Sequence, residues 1–118
     1  MIERPYERLV AWKEAHALCL MMYTIMRSFP QEEKYALVNQ MRRAAYSVPM
    51  NLAEGNARRS SKEKSRYFEI ALASLEELHY QSRLSKDLLY LSKTDFEKID
   101  DQLQRTSFLL TKLRQSFR

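Results

Sequence analysis

The sequence contains few of the residues on which other fold classes depend. One glycine and three prolines occur among 118 residues, whereas the tight hairpins of β-sandwiches and barrels use glycine and asparagine at their turns. A single cysteine, Cys19, excludes an internal disulfide framework and a cysteine-rich zinc site, and it suits a reducing compartment. The longest uninterrupted apolar run covers residues 17–23, far short of the roughly 20 residues that cross a bilayer. We therefore expect a cytoplasmic protein that does not enter a membrane.

Helix-forming residues dominate the chain instead. Alanine, glutamate, lysine, leucine and arginine account for 57 of the 118 residues, which is typical of long helices. A chain of this length supports one domain, residues 1–118, whose core is large enough to be stable without metal ions or disulfides. The composition thus predicts an all-α, single-domain protein.

Helix-breaking and capping residues divide the chain into four helical segments with short connections. Pro30 ends the first segment, while Ser60 and Thr94 each begin a capping box at the start of the third and the fourth. Short connections favour antiparallel neighbours, so we expect an up-down four-helix bundle. Pro49 lies inside the second segment and predicts a kink, because its ring disturbs the helical bond to the Ala45 carbonyl. The predicted segments cover approximately residues 7–27, 31–57, 60–91 and 94–117.

The first segment is apolar around most of its circumference, which indicates burial on more than one side. Each helix of a four-helix monomer ordinarily keeps a solvated face, so this pattern favours an interface between subunits. The alternative is a wide core face filled by adaptable methionine side chains. The predicted interface residues are Trp12, Leu18, Met22 and Tyr23.

Sequence signatures of catalysis and metal binding are scarce. Neither His16 nor His79 falls in a recognisable catalytic motif. Glu76 and His79 form one Glu-x-x-His, but a di-iron site needs a second copy, which the sequence lacks. The lone Gly55 cannot build a glycine-rich phosphate-binding loop, and Cys19 has the character of a small buried hydrophobic residue. We therefore expect no enzymatic activity, no metal site and no cofactor.

Positive charge is the most informative functional feature. The formal net charge of +5 favours contact with a polyanion such as RNA or DNA. The excess is concentrated at the turn between the second and third segments, where the free N–H groups of a helix start also attract anions. This pattern predicts salt-dependent phosphate contacts with little sequence preference, and the alternative is a solvated helix end. The predicted nucleic-acid-binding residues are Arg58, Arg59, Lys62, Lys64 and Arg66.

Residues 29–37, 40–45 and 47–55 together resemble a bacterial family of four-helix bundles encoded in 23S rRNA intervening sequences. The most specific part is Asn-Leu-Ala-Glu-Gly at residues 51–55, and the resemblance extends over nearly the whole chain. It implies that up-down bundles assemble into a ring-like homopentamer. Ala73 departs from the family pattern, which usually has glycine there, and this implies slightly looser helix packing at that position.

The resemblance also implies a structural polar motif beside the predicted kink. In this motif Arg43, Asn51 and Glu54 form a buried polar network, and Asn51 or a water molecule satisfies the Ala45 carbonyl that Pro49 leaves free. The residues alone indicate that Arg43 forms a structural ion pair with a carboxylate, such as Glu33 or Glu77.

Two functional hypotheses from different classes follow. The first is a nucleic-acid-binding accessory module, because accessory variability proteins of retroelements, which the family resembles in structure, are basic pentamers that bind nucleic acid and a reverse transcriptase. That function is implied by fold analogy alone. The second is an interaction scaffold whose partner is another protein and whose basic turn binds nothing specific. In both hypotheses the protein is also its own partner, as a homo-oligomer.

Overall fold

The computed structural model describes residues 1–117, and this part of the chain contains no strand. Its helices are α1 (Val10–Ile25), α2 (Leu37–Asn56), α3 (Ser61–Asp87) and α4 (Lys93–Gln115), with short 3-10 turns at Pro5–Arg8, Met26–Ser28 and Gln31–Glu33. Each helix packs against the next one in the chain, and α4 closes the ring by packing against α1. The predicted all-α fold with four helices is confirmed.

Helices α3 and α4 both begin at serine N-caps, and the cap of α4 differs from the predicted one. Ser60 Oγ accepts a hydrogen bond from the Glu63 backbone N–H at 3.1 Å, as expected. The fourth helix is capped by Ser92, whose Oγ accepts from the Asp95 N–H at 3.0 Å, so the prediction of a cap at Thr94 is wrong. The earlier start places Asp95 in the first turn of α4, where the helix dipole stabilises its negative charge.

The second helix starts later than predicted. Residues 31–33 form a 3-10 turn, and Ala36 has φ −120° and ψ −101°, which interrupts helical geometry immediately before Leu37. The interruption is stabilised by Glu33, whose Oε1 accepts from the Leu37 N–H at 3.4 Å. From Leu37 the helix is continuous to Asn56, with Pro49 inside it.

The third helix ends earlier than predicted, at a left-handed residue. Leu89 has a φ of 65°, and its N–H donates to the Lys86 carbonyl at 3.0 Å. The Tyr90 N–H donates to the Ser85 carbonyl at 2.9 Å, which completes the hydrogen-bond pattern of a Schellman motif. Glycine usually occupies the left-handed position of this motif, so a leucine there left no signal in the sequence.

A single hydrophobic core lies between the four helices. One apolar stripe of α4 faces this core, since Ile99, Leu103 and Leu110 are buried together with Thr106, whose hydroxyl donates to the Gln102 carbonyl at 2.8 Å. The largest fully buried apolar side chains are Phe68, Leu18, Met22, Met41, Leu52, Leu75, Leu78, Ile99, Leu110 and Val48.

Leu18 and Met22 belong to this core and not to an interface. Both are fully buried within a single chain, so neither presents surface to a second subunit. The prediction of these two as interface residues is therefore wrong. Their stripe on α1 packs inward, which is the alternative reading of an apolar face filled partly by methionine.

Helices α2 and α3 approach each other closely at Gly55. A Cβ atom added at this glycine would lie 2.7 Å from Tyr67 Cβ and 2.9 Å from the Phe68 ring, so no other residue fits without displacement. The expectation of looser helix packing at Ala73 is wrong, because this residue is exposed and does not lie between the helices.

Candidate nucleic-acid interface

Two of the five predicted nucleic-acid-binding residues hold the α2–α3 connection together. Arg58 Nη2 donates to Tyr67 Oη at 2.7 Å, and its guanidinium lies 4.8 Å from the centre of that ring. Lys64 Nζ donates to the Asn56 carbonyl at 2.8 Å and so satisfies a free carbonyl at the end of α2. Both cations are thus engaged within the chain. Tyr67, which sequence reasoning did not single out, organises Arg58 from one side of the connection.

The other three cations, Arg59, Lys62 and Arg66, are exposed. None of them forms an ion pair within residues 1–117. Lys62 and Arg66 line an open groove with the α3 N-terminus. We call Arg59, Lys62 and Arg66 the α3 entry surface. The carboxylates of Glu63 and Glu69 line the same groove and moderate its positive potential.

The predicted polar motif is present only in part. Asn51 Nδ2 donates to the Ser47 carbonyl at 2.8 Å and to Ser47 Oγ at 3.0 Å, while Ser47 Oγ and Ser74 Oγ are 2.8 Å apart. This chain of contacts ties α2 to α3. The resemblance implied that Asn51 or a water molecule satisfies the Ala45 carbonyl. Asn51 instead donates to the carbonyl of Ser47.

Arg43 and Glu54 lie outside this network. Both side chains are exposed, and within the described residues neither makes an ion pair or a side-chain hydrogen bond. The expected ion pair of Arg43 with Glu33 or Glu77 does not form within residues 1–117: Glu33 accepts from the Tyr90 hydroxyl at 2.9 Å, and Glu77 accepts from Gln81 Nε2 at 3.1 Å. The hydrogen bond to Glu33 is the main cause that raises the pKa of Tyr90.

The two remaining predicted interface residues, Trp12 and Tyr23, make contacts within the chain. The Trp12 ring lies 5.0 Å from the Tyr6 ring, edge to face, and stacks on the His16 ring at 4.9 Å. Tyr23 lies 5.8 Å from the Arg42 guanidinium. Burial raises the pKa of Tyr23, with Cys19 and Tyr46 adding to the shift and Arg42 opposing it.

Apolar surface remains exposed along the α1–α4 grooves. One groove is lined by Leu9, Val10, Leu109 and Leu113, and a second by Ala17, Leu20, Met21 and Ile25. Leu20 is 56% exposed, although it lies in the middle of α1. Between the grooves, Gln102 Nε2 donates to the Glu14 carbonyl at 2.9 Å and to its carboxylate at 2.8 Å.

His79 lies beside a carboxylate without forming a metal site. Its Nε2 is 3.4 Å from Asp100 Oδ1, in an open groove between α3 and α4 that Glu76 also lines. Residues 1–117 contain no group of three or more histidine, cysteine, aspartate or glutamate side chains placed to hold a metal ion. Cys19 is buried, which raises the pKa of its thiol and keeps it in the unreactive protonated form.

No helix in the described part of the chain is both long and apolar enough to cross a membrane. A crystal structure of a protein of unknown function from the S23 ribosomal protein family of Bacteroides thetaiotaomicron VPI-5482 has the same fold, with a TM-score of 0.83 and 19% sequence identity. The similarity covers 90% of this chain and 96% of that one. No functionally curated protein matches the sequence. A model of the 23S rRNA-intervening sequence protein family matches residues 7–112, and the chain therefore belongs to that family.

Proposed function

We propose that this protein is a non-enzymatic, cytoplasmic accessory module that binds nucleic acid as a homo-oligomer. The observation that supports it best is the α3 entry surface. Arg59, Lys62 and Arg66 are exposed and form no ion pair within residues 1–117, and they lie at or near the start of α3, whose free N–H groups favour anions. Contacts of this kind neutralise phosphates and carry little sequence information.

The interface of the oligomer lies along the α1–α4 grooves in this proposal. Val10 and Leu20 expose apolar surface there, whereas Trp12 and Tyr23 face Tyr6, His16 and Arg42 within the chain. Burying this surface against a second copy is favourable by the hydrophobic effect. We propose a pentamer, so light scattering should give a mass about five times the 14.1 kDa of the chain. A mass of one chain at all concentrations would contradict it.

We also propose that Pro49 bends α2, because its ring crowds the Ala45 carbonyl and its nitrogen cannot donate to it. The angle between the axes of residues 37–48 and 49–56 in a crystal structure measures the bend. An angle below about 20° would contradict a kink.

Nucleic-acid binding is tested by the salt dependence of affinity. The variant R59Q/K62Q/R66Q leaves Arg58 and Lys64 in their structural contacts, and K13Q/K93Q/K98Q removes the same charge from exposed lysines elsewhere. Fluorescence anisotropy of labelled RNA and DNA against salt should give a steep log-linear dependence for the parent. Each phosphate contact contributes about 0.7–0.9 to the slope, so the entry-surface variant should lose roughly 2 units or more.

Equal slopes for the two variants would show that the entry surface is a solvated helix end. No binding to RNA or DNA at low salt would instead favour an interaction scaffold with a protein partner. That second candidate is supported by two exposed apolar side chains, Tyr35 at 85% and Leu89 at 89% exposure.

A further inference from the structure

A second cationic surface lies near the start of α2, where it packs with the end of α1, whereas the α3 entry surface follows the end of α2. The chain contains no aspartate or glutamate from residue 15 to residue 31, or from residue 34 to residue 53. These two stretches form most of α1 and most of α2, and Glu32 and Glu33 in the connection between the helices separate them. Their charged residues are therefore all positive: Arg27, Lys34, Arg42 and Arg43.

Three of these cations converge on one concavity. Arg27, Lys34 and Arg42 line a depression of about 140 Å³ at the end of α1, with apolar walls that include Phe29 and Val38. Among the described residues, no acidic side chain lines it. The carboxylate of Glu33, which precedes Lys34 in the sequence, accepts hydrogen bonds from the Leu37 N–H and the Tyr90 hydroxyl.

The three cations lack the carboxylate partners that other arginines have. Arg8, Arg83, Arg105 and Arg114 each pair with a glutamate or aspartate. Within residues 1–117, Arg27, Lys34 and Arg42 form no ion pair. Three positive charges around one apolar-walled depression repel one another, and a bound anion removes that repulsion.

Exposed aromatic rings adjoin the depression. Arg42 lies 5.8 Å from the Tyr23 ring, and Tyr46 follows Arg42 by one helical turn on the same face of α2. Both tyrosines are 39% exposed. Cations that hold a backbone beside exposed aromatic rings are the recurring design of surfaces that bind single strands.

We propose that this α1–α2 surface binds single-stranded nucleic acid. A backbone phosphate occupies the depression between Arg27, Lys34 and Arg42, and an unpaired base stacks on Tyr46. A duplex does not satisfy the same surface, because its bases are stacked inside the helix and unavailable to tyrosine. The inference shares its ligand class with the proposed function, but it does not depend on the α3 entry surface.

The experiment compares variants with matched changes in charge. R27Q/K34Q/R42Q removes the three cations of the depression, R59Q/K62Q/R66Q those of the α3 entry surface, and K13Q/K93Q/K98Q three exposed lysines elsewhere. Circular dichroism and solution mass first establish that each variant keeps the fold and assembly of the parent. Anisotropy then measures affinity for a 20-nucleotide oligouridylate, a 20-nucleotide oligothymidylate and a 20-base-pair duplex.

Removing the depression cations should weaken binding of both single strands by at least about tenfold relative to the lysine control, with a smaller change for the duplex. Stacking is tested separately at Tyr46. Tyr46→Phe keeps the ring and should bind like the parent, whereas Tyr46→Leu should bind single strands at least about fivefold more weakly, the low end for loss of one base–aromatic stack.

Three outcomes overturn part or all of the inference, and the location of the loss separates it from the proposed function. Equal single-strand affinity for R27Q/K34Q/R42Q and the lysine control would show that the depression binds no phosphate. Unchanged affinity of Tyr46→Leu would show that no base stacks on Tyr46. Tighter binding of an acidic peptide than of either single strand would assign the surface to a protein partner. If only R59Q/K62Q/R66Q loses affinity for single strands, the α3 entry surface is the binding site and the α1–α2 surface is excluded. If only R27Q/K34Q/R42Q loses affinity, the α1–α2 surface is the binding site and the α3 entry surface is excluded.

Discussion

The α2–α3 pair and the α1–α4 pair are built on different principles. Between α2 and α3 small and polar residues bring the helices close together: Gly55 permits close approach to Tyr67, and the hydroxyl oxygens of Ser47 and Ser74 are 2.8 Å apart. Between α1 and α4 open grooves with apolar walls remain, and the main polar contact joins Gln102 to Glu14. One pair is closed within the chain, while the other leaves apolar surface accessible.

The difference shows that two apolar faces of one helix can serve separate purposes. The sequence shows that α1 is apolar around most of its circumference, yet Leu18 and Met22 are fully buried while Leu20, between them, is largely exposed. Burial within the chain stabilises the fold, and exposure leaves surface for association. The comparison therefore predicts that substitutions on these two faces affect different measurements.

The largest expected effect comes from the buried face of α1. Met22→Ala should lower the free energy of unfolding by about 2–5 kcal/mol, because it leaves a cavity in a closed core. Leu20→Ala is the matched control and should change the stability of a single chain by only about 0.5 kcal/mol, while it reduces the solution mass. Urea denaturation and light scattering separate the two quantities. A large loss of stability from Leu20→Ala without any change in mass would erase the distinction between the faces.

The next effect tests the closeness of α2 and α3. Gly55→Ala should destabilise the protein by about 1–3 kcal/mol, although alanine is the better helix former, because the new methyl group meets Tyr67 Cβ at 2.7 Å. Tyr67 Cβ is fixed to the α3 backbone and cannot move away alone. Thermal or urea unfolding measures the change. A stabilised variant would mean that the two helices separate easily.

A smaller effect tests the polar contacts of the same pair. Asn51→Ala should lower stability by about 0.5–1.5 kcal/mol, since it removes the hydrogen bonds to Ser47. Glu54→Ala, one turn away and exposed, should change it by no more than about 0.5 kcal/mol. Equal values for the two variants would show that Asn51 contributes no more than a surface residue.

The smallest effect lies at the end of the molecule, where the α3–α4 connection meets the start of α2. The hydrogen bond to Glu33 raises the pKa of Tyr90 above its ordinary value of 10.0. The stability gained from this bond is therefore fully present below pH 10.0 and is lost as the pH rises through the higher folded value. The stability difference between the parent and Tyr90→Phe should thus shrink in urea titrations at increasingly alkaline pH. A difference that stays constant to the end of the titration would contradict this linkage.

The features that depend on local spacing were predictable from the sequence. The four helices, the Ser60 cap and the apolar stripe of α4 follow from periodicity and capping chemistry, which act within a few residues. The end of α3 was not predictable, because Leu89 adopts a left-handed conformation that its side chain disfavours, and no glycine in the sequence marks that position.

The candidate site was predictable in composition but not in the role of each residue. A run of cations between α2 and α3 is plain in the sequence, whereas the contacts that engage Arg58 and Lys64 join residues eight or nine positions apart across a turn. The depression of Arg27, Lys34 and Arg42 was missed for a related reason. Its cations are spread over 16 residues and converge only when α1 and α2 pack, although the scarcity of acids, with only Glu32 and Glu33 between residues 15 and 53, was a usable signal.

The position of the single glycine shows which of two steric restrictions is harder to satisfy with another residue: a positive φ or a lack of space for a Cβ atom. Position 89 has the positive φ that glycine adopts freely, yet leucine stands there and glycine stands at position 55. An unfavourable backbone angle costs a leucine roughly 1–2 kcal/mol, which a folded chain can absorb, whereas a methyl group at position 55 has no space to occupy. Position 89 is therefore an unused reserve of stability, open to improvement by a change of one residue. At position 55 no such improvement is possible, because any larger residue requires α2 and α3 to move apart.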